Sequence, residues 1–192
     1  SNTAPDSTGK ETLPIASPSG GATQGALQIA EQSILDNPTN PRAYSILCFA
    51  RMAAGKSEDG VRACLRALEL DPNDPGTYAY ESYAQYDLAR YDNALDTANK
   101  AVSLAQQINQ KSIDAYIALG RALNFKGKFE QAQQAYITAQ NINPKLEFPY
   151  FEFAGFAIGR QQPEVAIEAY NRVLSNNPHS VKAYTRLCAA YF

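Results

Sequence analysis

Few residues of this sequence could carry out covalent or metal-ion chemistry. The chain of 192 residues has one histidine, His179, which directly follows Pro178. Nucleophilic catalysis requires a base close to its nucleophile, and the sequence around this proline turn offers no such pair. We interpret His179 as a solvent-exposed turn residue, and we expect no enzyme active site.

The three cysteines, Cys48, Cys64 and Cys188, show no CxxC spacing. With a single histidine in the chain, they do not form the ligand set typical of zinc sites. Two of them could pair in an oxidising compartment. Each nevertheless falls at a position that the repeat described below is expected to bury, where a free cysteine packs as a small apolar side chain. We therefore predict three packing thiols, and no metal or other cofactor.

Two acidic groups have structural explanations. Glu58 and Asp59 fall at the start of a predicted helix, where negative charge interacts favourably with the helix dipole. The run Asp-Pro-Asn-Asp over residues 71–74 is typical of a helix end followed by a cap, and it lacks the spacing of a calcium loop. No glycine-rich loop follows a predicted strand, so no phosphate site is expected.

Charge and hydropathy argue against two classes of partner. Seventeen basic and nineteen acidic residues leave a net charge of -2, and no run of Lys or Arg could follow a phosphate backbone. No stretch approaches the roughly 18 consecutive apolar residues that cross a bilayer. We expect neither nucleic-acid binding nor direct membrane insertion by this segment. The sequence begins Ser1-Asn2 without methionine, which leaves room for an upstream export or anchor segment and assigns no compartment.

A repeat organises most of the chain. Tyrosines recur at separations of 34, 38, 34 and 34 residues, at positions Tyr44, Tyr78, Tyr116, Tyr150 and Tyr184. Prolines recur with the same period near the end of a unit. Pro38 and Pro72 are 34 residues apart, and so are Pro144 and Pro178. Large side chains at spacings of three and four predict helices with one apolar face, and small residues between them allow close helix packing.

The third unit resembles the tetratricopeptide repeat family most fully. The family pattern is an aromatic residue, leucine, a small residue and a large residue, followed later by alanine, an aromatic residue, alanine and proline. In this unit these positions hold Tyr116, Leu119, Gly120, Leu123, Ala132, Tyr136, Ala139 and Pro144. The resemblance covers residues 24–192 and implies an all-α, right-handed superhelical solenoid of antiparallel helix pairs. The implied units are a first helix over 24–38, repeats over 41–74, 75–112, 113–146 and 147–180, and a final helix over 181–192.

The second unit departs from the pattern in two ways. Glu81, Ser82 and Gln85 occupy slots for leucine, a small residue and a large residue, so we expect a rotated or looser first helix. Four extra residues precede Tyr116, within the stretch 102–108. Four residues make about one helical turn, so we predict that the second helix of this unit is longer by a turn.

Residues 1–23 are rich in Ser, Thr, Pro and Gly and are predicted to be a tail or linker. Their apolar cluster, Leu13-Pro14-Ile15, motivates the hypothesis that the tail docks on its own or a neighbouring domain.

The resemblance also implies a concave wall made by the first helix of each unit. We expect the repeated tyrosines in the core, and a second set of side chains facing the groove as partner contacts. The predicted contacts are Phe49, Met52, Tyr83, Tyr86, Arg121, Asn124, Phe125, Phe148 and Phe151. The Lys, Asn and Arg positions with which one subgroup grips chaperone carboxylates hold other residues here, such as Ser45, Phe49 and Tyr80.

The interpretation that follows is a scaffold that binds a protein or peptide segment with hydrophobic anchors in this groove. Two alternatives remain open at this point: self-assembly through the last helix or the tail, and an accessory domain of a larger protein.

Overall fold

The computed structural model describes residues 20–191, and these residues form ten α-helices without a strand. The hypothesis that Leu13-Pro14-Ile15 docks the tail concerns residues outside this range. The helices are α1 (Gly20–Asp36), α2 (Pro41–Ala53), α3 (Ser57–Leu70), α4 (Pro75–Asp87), α5 (Tyr91–Gln107), α6 (Ile113–Phe125), α7 (Phe129–Ile142), α8 (Glu147–Gly159), α9 (Pro163–Asn176) and α10 (Val181–Tyr191). The predicted all-α solenoid of helix pairs is confirmed. Helix α1 begins at Gly20, so the last four residues assigned to the tail are helical.

Local chemistry sets the helix starts and ends. The side chains of Asn40, Asp74 and Ser112 accept hydrogen bonds from backbone N–H groups at the starts of α2, α4 and α6. Pro163 is the first residue of α9, as its position in the sequence predicts. Helices α3, α7 and α9 each end two residues before the proline that closes the unit.

A left-handed residue follows the first helix in each of the four pairs. Gly55 and Gly127 have φ of 73° and 72°, a conformation that glycine adopts without steric cost. Ala89 and Gln161 hold the same place with φ of 57°, which the sequence did not indicate. Backbone hydrogen bonds close both turns, from Arg90 N–H to the Gln85 carbonyl at 2.9 Å and from Gln162 N–H to the Ala157 carbonyl at 3.0 Å.

The second unit is more regular than predicted. Helix α5 has 17 residues, against 14 in α3, α7 and α9, so the extra residues do extend the helix by about a turn. The expectation of a loose α4 is wrong, since Glu81, Ser82 and Gln85 are all buried. Ser82 donates a hydrogen bond of 2.7 Å to the carbonyl of Ala94, and Gln85 donates one of 3.4 Å to Glu81. These bonds give partners to the Ser82 hydroxyl and the Gln85 Nε2 group, whereas Oε1 of Gln85 is buried without a hydrogen-bond partner among the described residues.

The stack is curved because its two rows of helices pack differently. The first helices of successive pairs, α2, α4, α6 and α8, contact one another directly. The second helices are separated by clefts of about 450, 370 and 740 Å³, between α1 and α3, α5 and α7, and α7 and α9. The first helices therefore form the inner, concave wall of the superhelix.

The repeated tyrosines are less uniformly interior than predicted. Tyr78 and Tyr150 are buried, Tyr44 and Tyr116 are half-buried, and Tyr184 is 54% exposed. Tyr44 and Tyr116 line the outer clefts, so one edge of each ring remains accessible. Tyr184 lies on α10, which packs on α9 but has no second helix against its other side within the described residues.

The prediction of three packing thiols is wrong. Cys48 and Cys64 form a disulfide with a Cα–Cα distance of 5.1 Å, which joins α2 to α3 inside the first repeat. Both residues are fully buried, as expected, but the antiparallel helix pair places the two sulfurs side by side. Cys188 is a free thiol and is exposed on α10, not buried.

Candidate functional site: the concave wall

The concave wall brings some predicted contact residues together and buries others. Phe125 is 49% exposed. The half-buried members of the set are Phe49, Tyr86, Arg121, Asn124 and Phe151. The remaining three, Met52, Tyr83 and Phe148, are at most 8% exposed and belong to the core. Their assignment as partner contacts is wrong.

Tyr83 is interior because its neighbours close over the ring. It is 1% exposed, and its hydroxyl donates a hydrogen bond of 3.1 Å to the backbone carbonyl of Asp114. The guanidinium of Arg121 lies 4.8 Å from the ring centroid. Burial raises the pKa of Tyr83 well above its ordinary value, so the hydroxyl stays a neutral donor. The ring joins α4 to α6 and leaves no surface for a ligand.

Arg121 is held by a residue that sequence reasoning missed. Its Nε and Nη2 atoms donate to the two carboxylate oxygens of Glu152, at 2.7 and 2.8 Å. Burial by itself lowers the pKa of Arg121, but the hydrogen bonds and the charge of Glu152 outweigh it and raise the pKa. The guanidinium stays charged and bridges α6 to α8. Glu152 directly follows Phe151. A charged residue within this apolar helix was the sequence feature that could have indicated a buried ion pair.

Three aromatic rings form a cluster at the α4–α5–α6 junction. Tyr86 contacts the edge of Phe125 with ring centroids 6.2 Å apart, and Tyr91 with centroids 5.4 Å apart. Tyr91 and Phe125 are stacked. Tyr86 and Phe125 were both predicted contacts, whereas Tyr91, the first residue of α5, was not. Such rings offer broad apolar contact at small entropic cost.

Phe49 and Phe151 each pack on one side and stay open on the other. Phe49 contacts Tyr80 with ring centroids 5.5 Å apart. Phe151 contacts Tyr170 at 5.9 Å, and the ammonium of Lys182 lies 4.3 Å from its ring centroid. Phe151 therefore combines apolar surface with a nearby positive charge.

The surface of α8 is uncovered at Gly155, one turn beyond Phe151. Gly155 is exposed, and a Cβ built at this position meets no atom within 4 Å. Ile158, almost one turn further along, is 43% exposed. The wall thus has an open space beside two apolar side chains.

Metal binding and membrane crossing gain no support from the described part of the chain. Residues 20–191 contain no group of three or more His, Cys, Asp or Glu side chains placed to hold a metal ion. None of the helices in this range is long and apolar enough to cross a membrane.

Comparison with known proteins identifies the repeat. The family model for the tetratricopeptide repeat matches residues 113–146. Small glutamine-rich tetratricopeptide repeat-containing protein 2 of Mycosarcoma maydis is 30% identical over 96 residues, which are 50% of this chain and 26% of that protein. Hsp70-Hsp90 organizing protein 2 of Arabidopsis thaliana is 32% identical over 73 residues, which are 37% of this chain and 12% of that protein. The matches thus span about a quarter or less of these relatives.

A solved structure agrees with the whole arrangement. TTC0263, a thermophilic tetratricopeptide repeat protein of Thermus thermophilus, superposes with a TM-score of 0.80 at 17% identity, covering 89% of this chain and 91% of that one. At this identity the likeness concerns the fold alone. Together with the matched repeat at 113–146 and the 34-residue period, it shows that the chain contains a tetratricopeptide repeat and has the fold of tetratricopeptide repeat proteins.

Proposed function

We propose that this chain is a protein–protein interaction scaffold that binds a peptide segment of another protein along its concave wall. The observation that carries the proposal is the uncovered surface of α8 at Gly155, which lies one helical turn from the half-buried Phe151 and close to Ile158, which is 43% exposed. An apolar side chain of a partner can approach the helix backbone at this position, because no other residue covers it. Contiguous exposed apolar surface commonly marks an interaction site.

The aromatic cluster supplies a second anchor point in the same wall. Phe125 is 49% exposed beside Tyr86, and Asn124 adds an amide that can bond a peptide backbone. Arg121 has a different role in this proposal, because Glu152 already binds its guanidinium on two sides. It shapes the groove floor and does not contact the ligand.

Relatives support the same class of function. The name of the Arabidopsis relative states that it organises Hsp70 and Hsp90, which is a role carried out through protein partners. We extend from it the general activity of bringing proteins together, and not those two partners. The matched region is 12% of that relative, so its partners are not assigned to this chain.

The test selects a peptide against the intact chain from a random peptide library and measures its affinity for matched variants. Gly155→Trp places a bulky side chain on this uncovered surface, whereas Gly155→Ala adds a single methyl group. We expect Gly155→Trp to weaken binding by at least about tenfold and Gly155→Ala by less than about twofold. Phe125→Ala tests the aromatic cluster, and Leu65→Ala, on the exposed face of α3, is the control. Equal affinity of all four variants would place binding outside the concave wall.

A second candidate is self-assembly through α10. Val181, Tyr184 and Tyr191 are 77%, 54% and 66% exposed on this helix, which is more apolar surface than a terminal helix usually shows. Light scattering over a range of concentrations tests this alternative. A monomer at all concentrations would argue against it, whereas a dimer lost in Val181→Ser/Tyr184→Ser would favour it.

A further inference from the structure

Within residues 20–191, three clefts at equivalent places on the outer face have different linings. Each lies between two second helices, and each has a repeated tyrosine among its lining residues. The clefts between α5 and α7 and between α7 and α9 are rich in amides, such as Gln106, Gln110, Gln133 and Gln140. The helix pairs that form the clefts have the same backbone arrangement. The linings of the clefts therefore differ in their side chains and not in their fold.

The cleft between α1 and α3 is apolar. It has a volume of about 450 Å³ and is lined by Ile34 and Leu35 of α1, Leu47 of α2 and Ala63 of α3. This volume falls within the range of ligand-binding clefts. Leu35 is 76% exposed, although a leucine of this kind is usually covered in a folded chain. The cleft therefore holds apolar surface that the described chain leaves in contact with water.

Positive charge surrounds this apolar lining. Arg51, Arg62 and Arg66 line the cleft, whereas Glu31 is its sole carboxylate among the described lining residues. Arg62 and Arg66 pair with Asp59 and Glu69 on their own helix. Exposed pairs of this type contribute little, so a ligand can recruit both guanidinium groups. Arg51 has no ion pair with any described residue, and Arg66 also lies over the Tyr44 ring, 5.9 Å from its centroid.

We propose that this cleft is a second docking site, separate from the concave wall, for a segment of another protein in which Asp or Glu side chains flank large apolar ones. The apolar side chains enter between α1 and α3, and the carboxylates bond the arginines. A guanidinium binds a carboxylate through two parallel hydrogen bonds, which gives the site a preference for acidic partners. Charge complementarity of this type raises the association rate and makes binding dependent on salt.

The first test uses the anionic apolar dye 8-anilinonaphthalene-1-sulfonate with the full chain. We expect saturable fluorescence enhancement, weakened at least about fivefold in Arg51→Gln/Arg66→Gln and in Leu35→Ser. Arg172→Gln, in the amide-rich cleft between α7 and α9, is the matched control and should leave dye affinity unchanged. Circular dichroism checks that each variant is folded. Equal dye affinity of all variants would overturn the proposal.

The second test measures displacement of the dye by two synthetic peptides of about ten residues, one alternating leucine with glutamate and the other leucine with lysine. We expect displacement by the glutamate peptide alone, and its loss in Arg51→Gln/Arg66→Gln. Displacement by neither peptide, or equally by both, would refute the assigned chemistry.

Two further outcomes would identify another occupant and also overturn the proposal. A full chain carrying Leu13→Ser/Ile15→Ser that binds the dye more tightly would show that the tail fills the cleft. Dye binding that falls as the chain self-associates would show that a second copy fills it. Gly155→Trp separates this site from the concave wall, because it should weaken selected-peptide binding by at least about tenfold and leave dye affinity in the outer cleft unchanged.

Discussion

Two glycines show how packing decides the effect of the same substitution. Both Gly120 and Gly155 lie within helices, where alanine is intrinsically favoured by about 1 kcal/mol. A Cβ at Gly120 would lie 2.9 to 3.0 Å from ring atoms of the buried Tyr136, whereas a Cβ at Gly155 meets open space. We expect Gly155→Ala to raise the free energy of unfolding by about 0.5–1 kcal/mol, and Gly120→Ala to lower it by about 1–3 kcal/mol. Urea denaturation measures both, and a stabilised Gly120→Ala would mean that the Tyr136 ring moves freely.

Glu81 makes stability depend on pH. Burial raises its pKa, while the hydrogen bond from Gln85 and the charge of Lys100 lower it less. A carboxyl group with a higher pKa in the folded chain than in the unfolded chain opposes folding once it ionises, so its cost grows as pH rises. Glu81→Gln should therefore raise the free energy of unfolding at about pH 7 and change it little at about pH 3.

The control for this prediction is Glu168→Gln, at an exposed position on α9. Urea midpoints across the pH range provide the comparison. A Glu81→Gln chain whose stability differs from the parent equally at both pH values would contradict a role for ionisation.

At the scale of the element, the disulfide reinforces the first helix pair. It closes a loop between residues 16 positions apart, and such a cross-link stabilises a fold by about 2–4 kcal/mol. We expect urea unfolding in the presence of dithiothreitol to show a free energy lower by about that amount. Cys188→Ala should leave the difference intact, since Cys188 is free. Identical midpoints with and without reductant would show that the cross-link is not formed in solution.

At the scale of the whole molecule, the Arg121–Glu152 pair couples the third repeat to the fourth. Its side chains are 28% and 19% exposed, and removal of one partner leaves a charge in a largely covered site. We expect Arg121→Met to cost about 1–3 kcal/mol and to speed amide hydrogen exchange in α8 to α10 more than in α2 to α5.

Lys126→Met is the matched control for this coupling. Lys126 also pairs across repeats, with Asp92, but Asp92 is 83% exposed, so the change should cost less than about 0.5 kcal/mol. Faster exchange spread evenly over all helices in Arg121→Met would show a general loss of stability and not a lost coupling between repeats.

The helices, their order and the repeat that builds them could be predicted from the sequence. Capping residues such as Asn40 and Asp74 and prolines such as Pro72 act on residues next to them in the chain, so they mark helix starts and ends locally. The 34-residue period then gives the order of the helix pairs. The extra turn of α5 is of the same kind.

Which side chains face a partner was decided by the tertiary structure. Tyr83 and Phe125 both fall in the predicted groove set, yet one is 1% and the other 49% exposed. The difference arises because Arg121 and Asp114, from another repeat, close over Tyr83. The disulfide and the Arg121–Glu152 pair likewise join residues on different helices. Periodicity specifies the face of one helix, whereas burial depends on the distance between helices, which the packed stack alone determines.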